Sequence, residues 1–420
     1  MRTASLSPGE ENEGTMSSAT AEPEATEQAE LARQLTEWAA LGFHGLRSAL
    51  FFAESLPLVW LQSPPARSAR KGSERAASGS ARRRGAAPRP PSREAVETAL
   101  ARLRTLFEQD AKAIGRGVMP LSVLTPRDWL GHGGRFLRIL GDARTVVARR
   151  ARRESRDFGA RAKPWLDELP AYYRRNFHYQ TDGYLSARSA ELYEHQVELL
   201  FRGGADAMRR LILPPLRAHF GDDPRTRDGQ GLRFLELGSG TGSASHAVAR
   251  AFPRAKLTCL DLSFPYTRHA RQQLAAYDRV ECVQGDAARL EFADGCFDAV
   301  YSVFLFHELP LPVRELVLEE ARRVLKPGGF FGLVDSLQTG DDPELDWALD
   351  FFPREFHEPY YAHYAAHPME TLVRRAGFES VEQGTGYLAK WIAARSAPKL
   401  PTAVDDPGRS AALNPPNSPD

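Results

Sequence analysis

Glu236, Gly238, Gly240 and Gly242 stand at alternating positions in the run Phe234-Leu-Glu-Leu-Gly-Ser-Gly-Thr-Gly242. Glycine has no Cβ and tolerates a positive φ, so a ligand can come close to the backbone of such a loop. The residues before it form a short apolar run bounded by a turn signal, which reads as a buried strand. Those after it, Ala244 to Phe252, are alanine-rich with helical spacing. Free amides at the start of that helix suit an anionic group. A dinucleotide loop would follow G-x-G-x-x-G, but here the sixth position is Ser243 and the third glycine falls one place early.

Further acids follow at regular intervals. Asp261 lies about twenty residues past the loop, where a carboxylate can accept both hydroxyls of a ribose. Asp286, in Gly285-Asp286-Ala287, is placed to accept an amino group of an adenine ring. His307 and Glu308 follow the apolar run 301–306; an unperturbed imidazole near pKa 6.5 suits proton removal at neutral pH, with Glu308 as the second choice.

These groups need a frame. Strands are expected at 233–238, 256–262, 279–284, 297–304 and 329–335, alternating with helices to Phe252, at 266–277 and at 313–325. Such alternation implies a parallel sheet covered on both faces, with the ligand beyond the carboxyl ends of the strands. Two more strands, 377–382 and 387–395, are expected as an edge hairpin joined through Gly384-Thr-Gly386.

The pattern E-x-G-x-G-x-G, with Asp261, Gly285-Asp286-Ala287 and Leu325-Lys-Pro-Gly-Gly329 in this order, resembles the class I S-adenosylmethionine-dependent methyltransferases over 233–396. Residues 169–220 are similar to the leading region of the ubiquinone/menaquinone-biosynthesis type. The resemblance implies an α/β, Rossmann-like seven-strand sheet, mostly parallel with an antiparallel last strand, and S-adenosyl-L-methionine as cofactor. It places Glu236, Gly238, Gly240 and Gly242 at the methionine end, Asp261 at the ribose, and Asp286 with Ala287 at the adenine, with Ser239, Leu262 and Val303 as further cofactor-binding residues.

For the acceptor, the aromatic stretch 169–184 and the crowd between Leu345 and His367 are the expected walls, with Tyr179, Tyr184, Phe304, Phe352 and Tyr360 against the substrate. That points to a small aromatic or apolar molecule. Base methylation of nucleic acid would show Asn/Asp-Pro-Pro-Tyr after the fourth strand, where Ser302-Val-Phe-Leu305 stands, so a nucleic-acid substrate is not expected. A nucleic-acid or protein methyltransferase, and a non-catalytic protein that only binds the cofactor, are the alternatives. His357, His363 and His367 lack metal-ligand spacing, and no metal is expected.

The 420 residues carry 55 Lys and Arg against 54 Asp and Glu, so net charge selects no partner. Cys259, Cys282 and Cys296 form no C-x-x-C pair and read as reduced thiols of a cytoplasmic protein. The start is acidic rather than a basic-then-apolar leader, and no apolar run is long enough for integral membrane association. The expected segments are a disordered 1–28, a helical 29–62, a basic disordered linker 63–93 containing Arg82-Arg83-Arg84, a helical accessory region 94–168, the catalytic domain 169–396 with its core at 231–396, and a disordered tail 397–420. Helices are expected at 94–114, 129–140, 142–162, 186–202 and 205–219, the basic 142–162 as a solvated surface helix. Leu31, Leu35, Trp38, Leu41, Leu46 and Leu50 share one face of a helix over 29–53, which must meet the catalytic domain or a partner protein.

Overall fold

The computed structural model describes residues 21–62, 91–160, 162–221 and 226–397, so the expectations for 1–20, 63–90 and 398–420 lie outside the described residues. Its centre is one sheet in the order β3-β2-β1-β4-β5-β7-β6. The strands are β1 (Arg233–Leu237), β2 (Lys256–Asp261), β3 (Val280–Gln284), β4 (Phe297–Val303), β5 (Leu325–Ser336), β6 (Phe378–Gly386) and β7 (Ala389–Ser396). β1 to β5 pair in parallel, and β7 runs antiparallel to both β5 and β6.

Side chains alternate between the two faces of a strand, so a strand buried on both sides reads as continuously apolar. Phe234 and Leu235 are consecutive, and both are fully buried. Phe234, Leu257, Cys259, Tyr301 and Phe330 share one core with the helix Ser243–Ala251. Leu235, Leu260, Val300, Phe331 and Leu333 share the other with the helix Leu311–Val324. The parallel register sets Leu237 beside Leu260 and Ser302, and Asp261 beside Gln284. The carboxyl ends therefore come out along one edge, next to the glycine loop.

Several sequence expectations shift. The edge hairpin turns at Tyr387-Leu388, not through Gly384-Thr-Gly386, with Gly386 paired to Ala389. Gly384 sits inside β6 because a Cβ there would lie 2.7 Å from the Trp391 indole nitrogen. β5 starts at Leu325 rather than Gly329. The helices expected at 129–140 and 142–162 are one, His132–Arg152, since Ile139 and Ala143 continue a single buried face; it ends at Arg153 in a left-handed conformation. That helix is not solvated throughout: Arg149 is buried and donates to the Tyr179 carbonyl at 2.7 Å. The stretch 205–219 divides into Ala205–Arg209, Arg210–Ile212 and Leu213–Phe220.

The helix Ala21–Gln62 lies against Arg93–Gly115, His132–Arg152 and Ala187–Leu200. It buries Ala40, His44, Phe51 and Ser55, a stripe at helical spacing, while Leu31, Leu35, Trp38 and Leu46 of the expected face are exposed. The buried stripe wins because it carries a polar anchor. His44 Nε2 is 2.9 Å from an Asp110 oxygen, and Arg210 donates to both Asp110 oxygens at 2.9 Å. Among the described residues no helix is long and apolar enough to cross a membrane, and the three cysteines are free.

Candidate active site

The glycine loop leaves β1 with Gly238, Gly240 and Gly242 all at positive φ. Their surroundings differ. A Cβ on Gly240 would meet nothing within 4 Å, so this glycine faces open space. On Gly242 it would lie 2.8 Å from Leu274, under the helix Phe264–Gln273. Gly240 lines a cavity together with Glu236, Gly238, Ser239, Asp261, Leu262, Asp286, Ala287 and Val303. Gly242, expected among the cofactor residues, is not a lining residue: it caps the helix Ser243–Ala251 and lets that helix pack.

Three carboxyl groups from three strand ends thus share one space. Glu236 is fully buried, accepting from Ser245 Oγ and, at 3.2 Å, from Tyr301 Oη. Burial pushes its carboxyl up to about 8, so it keeps its proton at neutral pH. Asp261 accepts from the amides of Gly240 and Ser263, both at 2.8 Å, which ties the tip of β2 to the glycine loop. Burial raises it to about 6 against the pull of those amides. Asp286 accepts from the Ala288 amide at 2.9 Å. Tyr172, Tyr173, Tyr184, Tyr193 and Tyr266 close the cavity. Carboxylates suit an ammonium group, vicinal hydroxyls and an exocyclic amine, and tyrosine faces suit a sulfonium cation. S-adenosylmethionine carries all of these, so the donor set fits it.

A second, more apolar cavity of about 330 Å³ adjoins the first. Tyr193, Phe304 and Glu308 line both, so the two meet there. Its walls include Tyr179, Leu199, Phe201, Leu349, Phe352, Phe356 and Tyr361. Of the expected substrate residues, Tyr179 and Phe352 line this cavity, Tyr184 the first, and Phe304 both. Tyr360 lines neither: its hydroxyl reaches the Tyr172 carbonyl, and its neighbour Tyr361 takes the cavity position. Consecutive residues at a helix start point about 100° apart, and only one can face the space.

At the junction, Tyr184 Oη donates to Glu308, and His178 lies 3.1 Å from that hydroxyl and 3.2 Å from Glu358. Burial alone would lower the His178 pKa; hydrogen bonds to Glu308 and Glu358 instead raise it to about 10. His178, Tyr179 and Phe304 all have positive φ, a strained backbone of the kind held at functional sites. The second Glu358 carboxylate oxygen is buried with no partner.

His307 lines the second cavity only. Its Nδ1 is 2.6 Å from Asp335, a fully buried carboxylate that also accepts from the amides of Phe306 and Ser336. Burial would lower this imidazole; the Asp335 charge outweighs it and raises the pKa to about 9. At neutral pH His307 is therefore a cation that donates, not the free base that an unperturbed pKa suggests. His178, Asp335 and Glu358 escape sequence reasoning. His178 lies inside the aromatic stretch and Asp335 ends β5, but nothing local marks either as a partner of 307–308.

Residues 234–329 match the family model described as a methyltransferase domain. The chain is 39% identical over 122 residues to a fatty-acid O-methyltransferase of Mycolicibacterium smegmatis, covering 29% of this chain and 43% of that one. It is 34% identical over 155 residues to a malonyl-[acyl-carrier protein] O-methyltransferase of Geobacter sulfurreducens, covering 36% and 57%. The chain thus spans about half the length of these relatives. A solved structure of a putative sarcosine dimethylglycine methyltransferase from Galdieria sulphuraria aligns with TM-score 0.36 at 15% identity, over 47% of this chain and 88% of that one.

Proposed function

With residues 234–329 belonging to the class I S-adenosylmethionine-dependent methyltransferases, we propose that the whole chain passes the methyl group of that cofactor to a small apolar acceptor with one polar head. The observation that carries this is the meeting of the two cavities at Tyr193, Phe304 and Glu308. Apolar walls with few convergent polar groups are the usual form of a small-molecule site.

The cofactor supplies a methyl group already activated for displacement. The protein's share is orientation and exclusion of water, which is worth roughly 7–11 kcal/mol in well-aligned reactions. Glu236, Gly238, Ser239, Gly240, Asp261, Leu262, Asp286, Ala287 and Val303 hold the cofactor. Tyr179, Phe304, Phe352 and Tyr361 hold the acceptor's apolar body. Glu308 is the carboxylate that lines both cavities, and it takes the proton from an acidic acceptor head. His307, cationic beside Asp335, donates to the same head, and Glu358 offers its unpartnered oxygen to a hydroxyl. Glu308 thereby precedes His307 as the proton acceptor. The names of the relatives, a fatty-acid and an acyl-carrier O-methyltransferase, agree with an apolar acceptor bearing an oxygen nucleophile.

The test is transfer from radiolabelled cofactor into a fractionated cell extract. Label is expected in the lipid and small-molecule fractions and should be lost with Glu308→Gln. Label in protein or RNA would overturn the acceptor class. Cofactor binding with no transfer into any fraction would favour a protein that only binds.

A further inference from the structure

On the far side of the glycine loop lies a third cavity of about 330 Å³, which shares Glu194, Arg209, Thr241 and Ser243 with the cofactor cavity. His132 and His195 line it. Behind them Glu54 presents one carboxylate oxygen to each imidazole, 2.8 Å from His132 Nε2 and 2.9 Å from His195 Nε2. One nitrogen from each ring and one carboxylate oxygen all lie within 4.8 Å of one another. We propose that Glu54, His132 and His195 form a divalent cation site, of the zinc class, that clasps the N-terminal helix to the catalytic domain.

The ligand set is the first argument. Two imidazoles and one carboxylate bind zinc with nitrogen distances near 2.0–2.1 Å, leaving a fourth position for water. The adjoining cavity provides room for that water. On binding, the proton on each Nε2 moves to Nδ1, and the vacated lone pair takes the ion.

Placement is the second argument. Glu54 is on the helix Ala21–Gln62, His132 opens the helix His132–Arg152, and His195 is on Ala187–Leu200. The rings of Phe51, Trp129 and Phe136 surround the two imidazoles at 5.4–6.1 Å. Apolar rings around a site lower its local dielectric. An ion here joins three segments far apart in sequence, so its binding free energy adds to the stability of their packing. The same helix Ala187–Leu200 carries Glu194, which accepts from Thr241 of the glycine loop.

Full-length protein, stripped with chelator and dialysed, should take up a single equivalent of Zn²⁺ by calorimetry and elemental analysis. Co²⁺ in its place should give the visible absorption of a four- or five-coordinate site. Zn²⁺ should raise the melting temperature of the wild type. Glu54→Gln, which retains hydrogen bonding to the imidazoles, should weaken Zn²⁺ by ~100-fold or more, above the range for loss of a supporting group. His132→Ala and His195→Ala should remove the equivalent while circular dichroism stays native. His363 and His367, stacked at 3.7 Å on one helix edge, form a pair that could take zinc adventitiously. If the equivalent disappears in His363→Ala and persists in Glu54→Gln, or if the wild type binds none, the proposal is overturned.

Discussion

His307 Nδ1 and Asp335 Oδ1 are 2.6 Å apart, joining the short turn that follows β4 to the carboxyl end of β5 inside the wall of the more apolar cavity. The carboxylate is fully buried and holds the imidazole in its charged form. Asp335→Asn removes that charge while keeping the shape. The His307 pKa should then fall from about 9 towards or below its ordinary value, read by the imidazole NMR shifts. His307→Ala should leave calorimetric binding of S-adenosylhomocysteine unchanged, since His307 does not line the cofactor cavity, and should slow turnover. Unchanged turnover would remove His307 from the mechanism.

Asp261 accepts two backbone amides, one of them from Gly240 of the loop it faces. Asp261→Ala leaves both amides unpaired and removes the proposed acceptor for the ribose. Hydrogen bonds to a charged group are worth about 1.5–3 kcal/mol each, so cofactor binding should weaken by ~100-fold or more in calorimetry.

Gly240 and Gly242 have different surroundings in the loop: one faces open space, the other packs against Leu274. Gly240→Ala puts a methyl group into the open space of the cofactor cavity and should reduce cofactor affinity more than stability. In Gly242→Ala the new carbon lies 2.8 Å from Leu274, so the melting temperature should drop instead. Each also carries the cost of a left-handed backbone, about 1 kcal/mol. Equal effects of both variants on affinity would contradict the geometry.

Protonation sets the pH dependence. Glu236 is raised from 4.5 to about 8 and His307 from 6.5 to about 9. A folded state that holds protons the unfolded chain has released is favoured at low pH. The contribution of Glu236 is full below pH 4.5 and lost as pH rises through about 8; that of His307 is full below 6.5 and lost through about 9. The melting temperature of the unliganded protein should therefore fall between pH 6.5 and 9, and Glu236→Gln should flatten the lower part of that fall. A cationic ligand group beside Glu236 favours the carboxylate, so binding S-adenosylmethionine near pH 7 should release protons, seen as a buffer-dependent binding enthalpy.

Asp110 is buried between His44 and Arg210. Asp110→Ala leaves the Arg210 guanidinium buried without its partner, a change that costs about 3–5 kcal/mol in comparable pairs. Thermal unfolding should show it, together with faster proteolysis of the helix Ala21–Gln62.

The alternation of strands and helices, and the acids at the strand tips, were readable from residue order alone, whereas the order of the strands across the sheet was not. A run such as Phe234 to Leu237 followed by glycines is a local signal. Parallel pairing then brings every strand's carboxyl end to one edge, so Glu236, Asp261 and Asp286 had to converge once the alternation was recognised. Contacts between distant segments were not readable in this way. Tyr184 and Glu308 are 124 residues apart, and Glu54 and His195 are 141 apart. No periodicity records such a meeting. The N-terminal helix is the clearest case: its leucines outweigh Ala40, His44, Phe51 and Ser55 in hydropathy, yet the latter face is buried because Asp110 and Arg210 wait opposite His44. Local patterns constrain backbone conformation, whereas burial, charge state and the company of each polar group are set by what the rest of the chain packs against it.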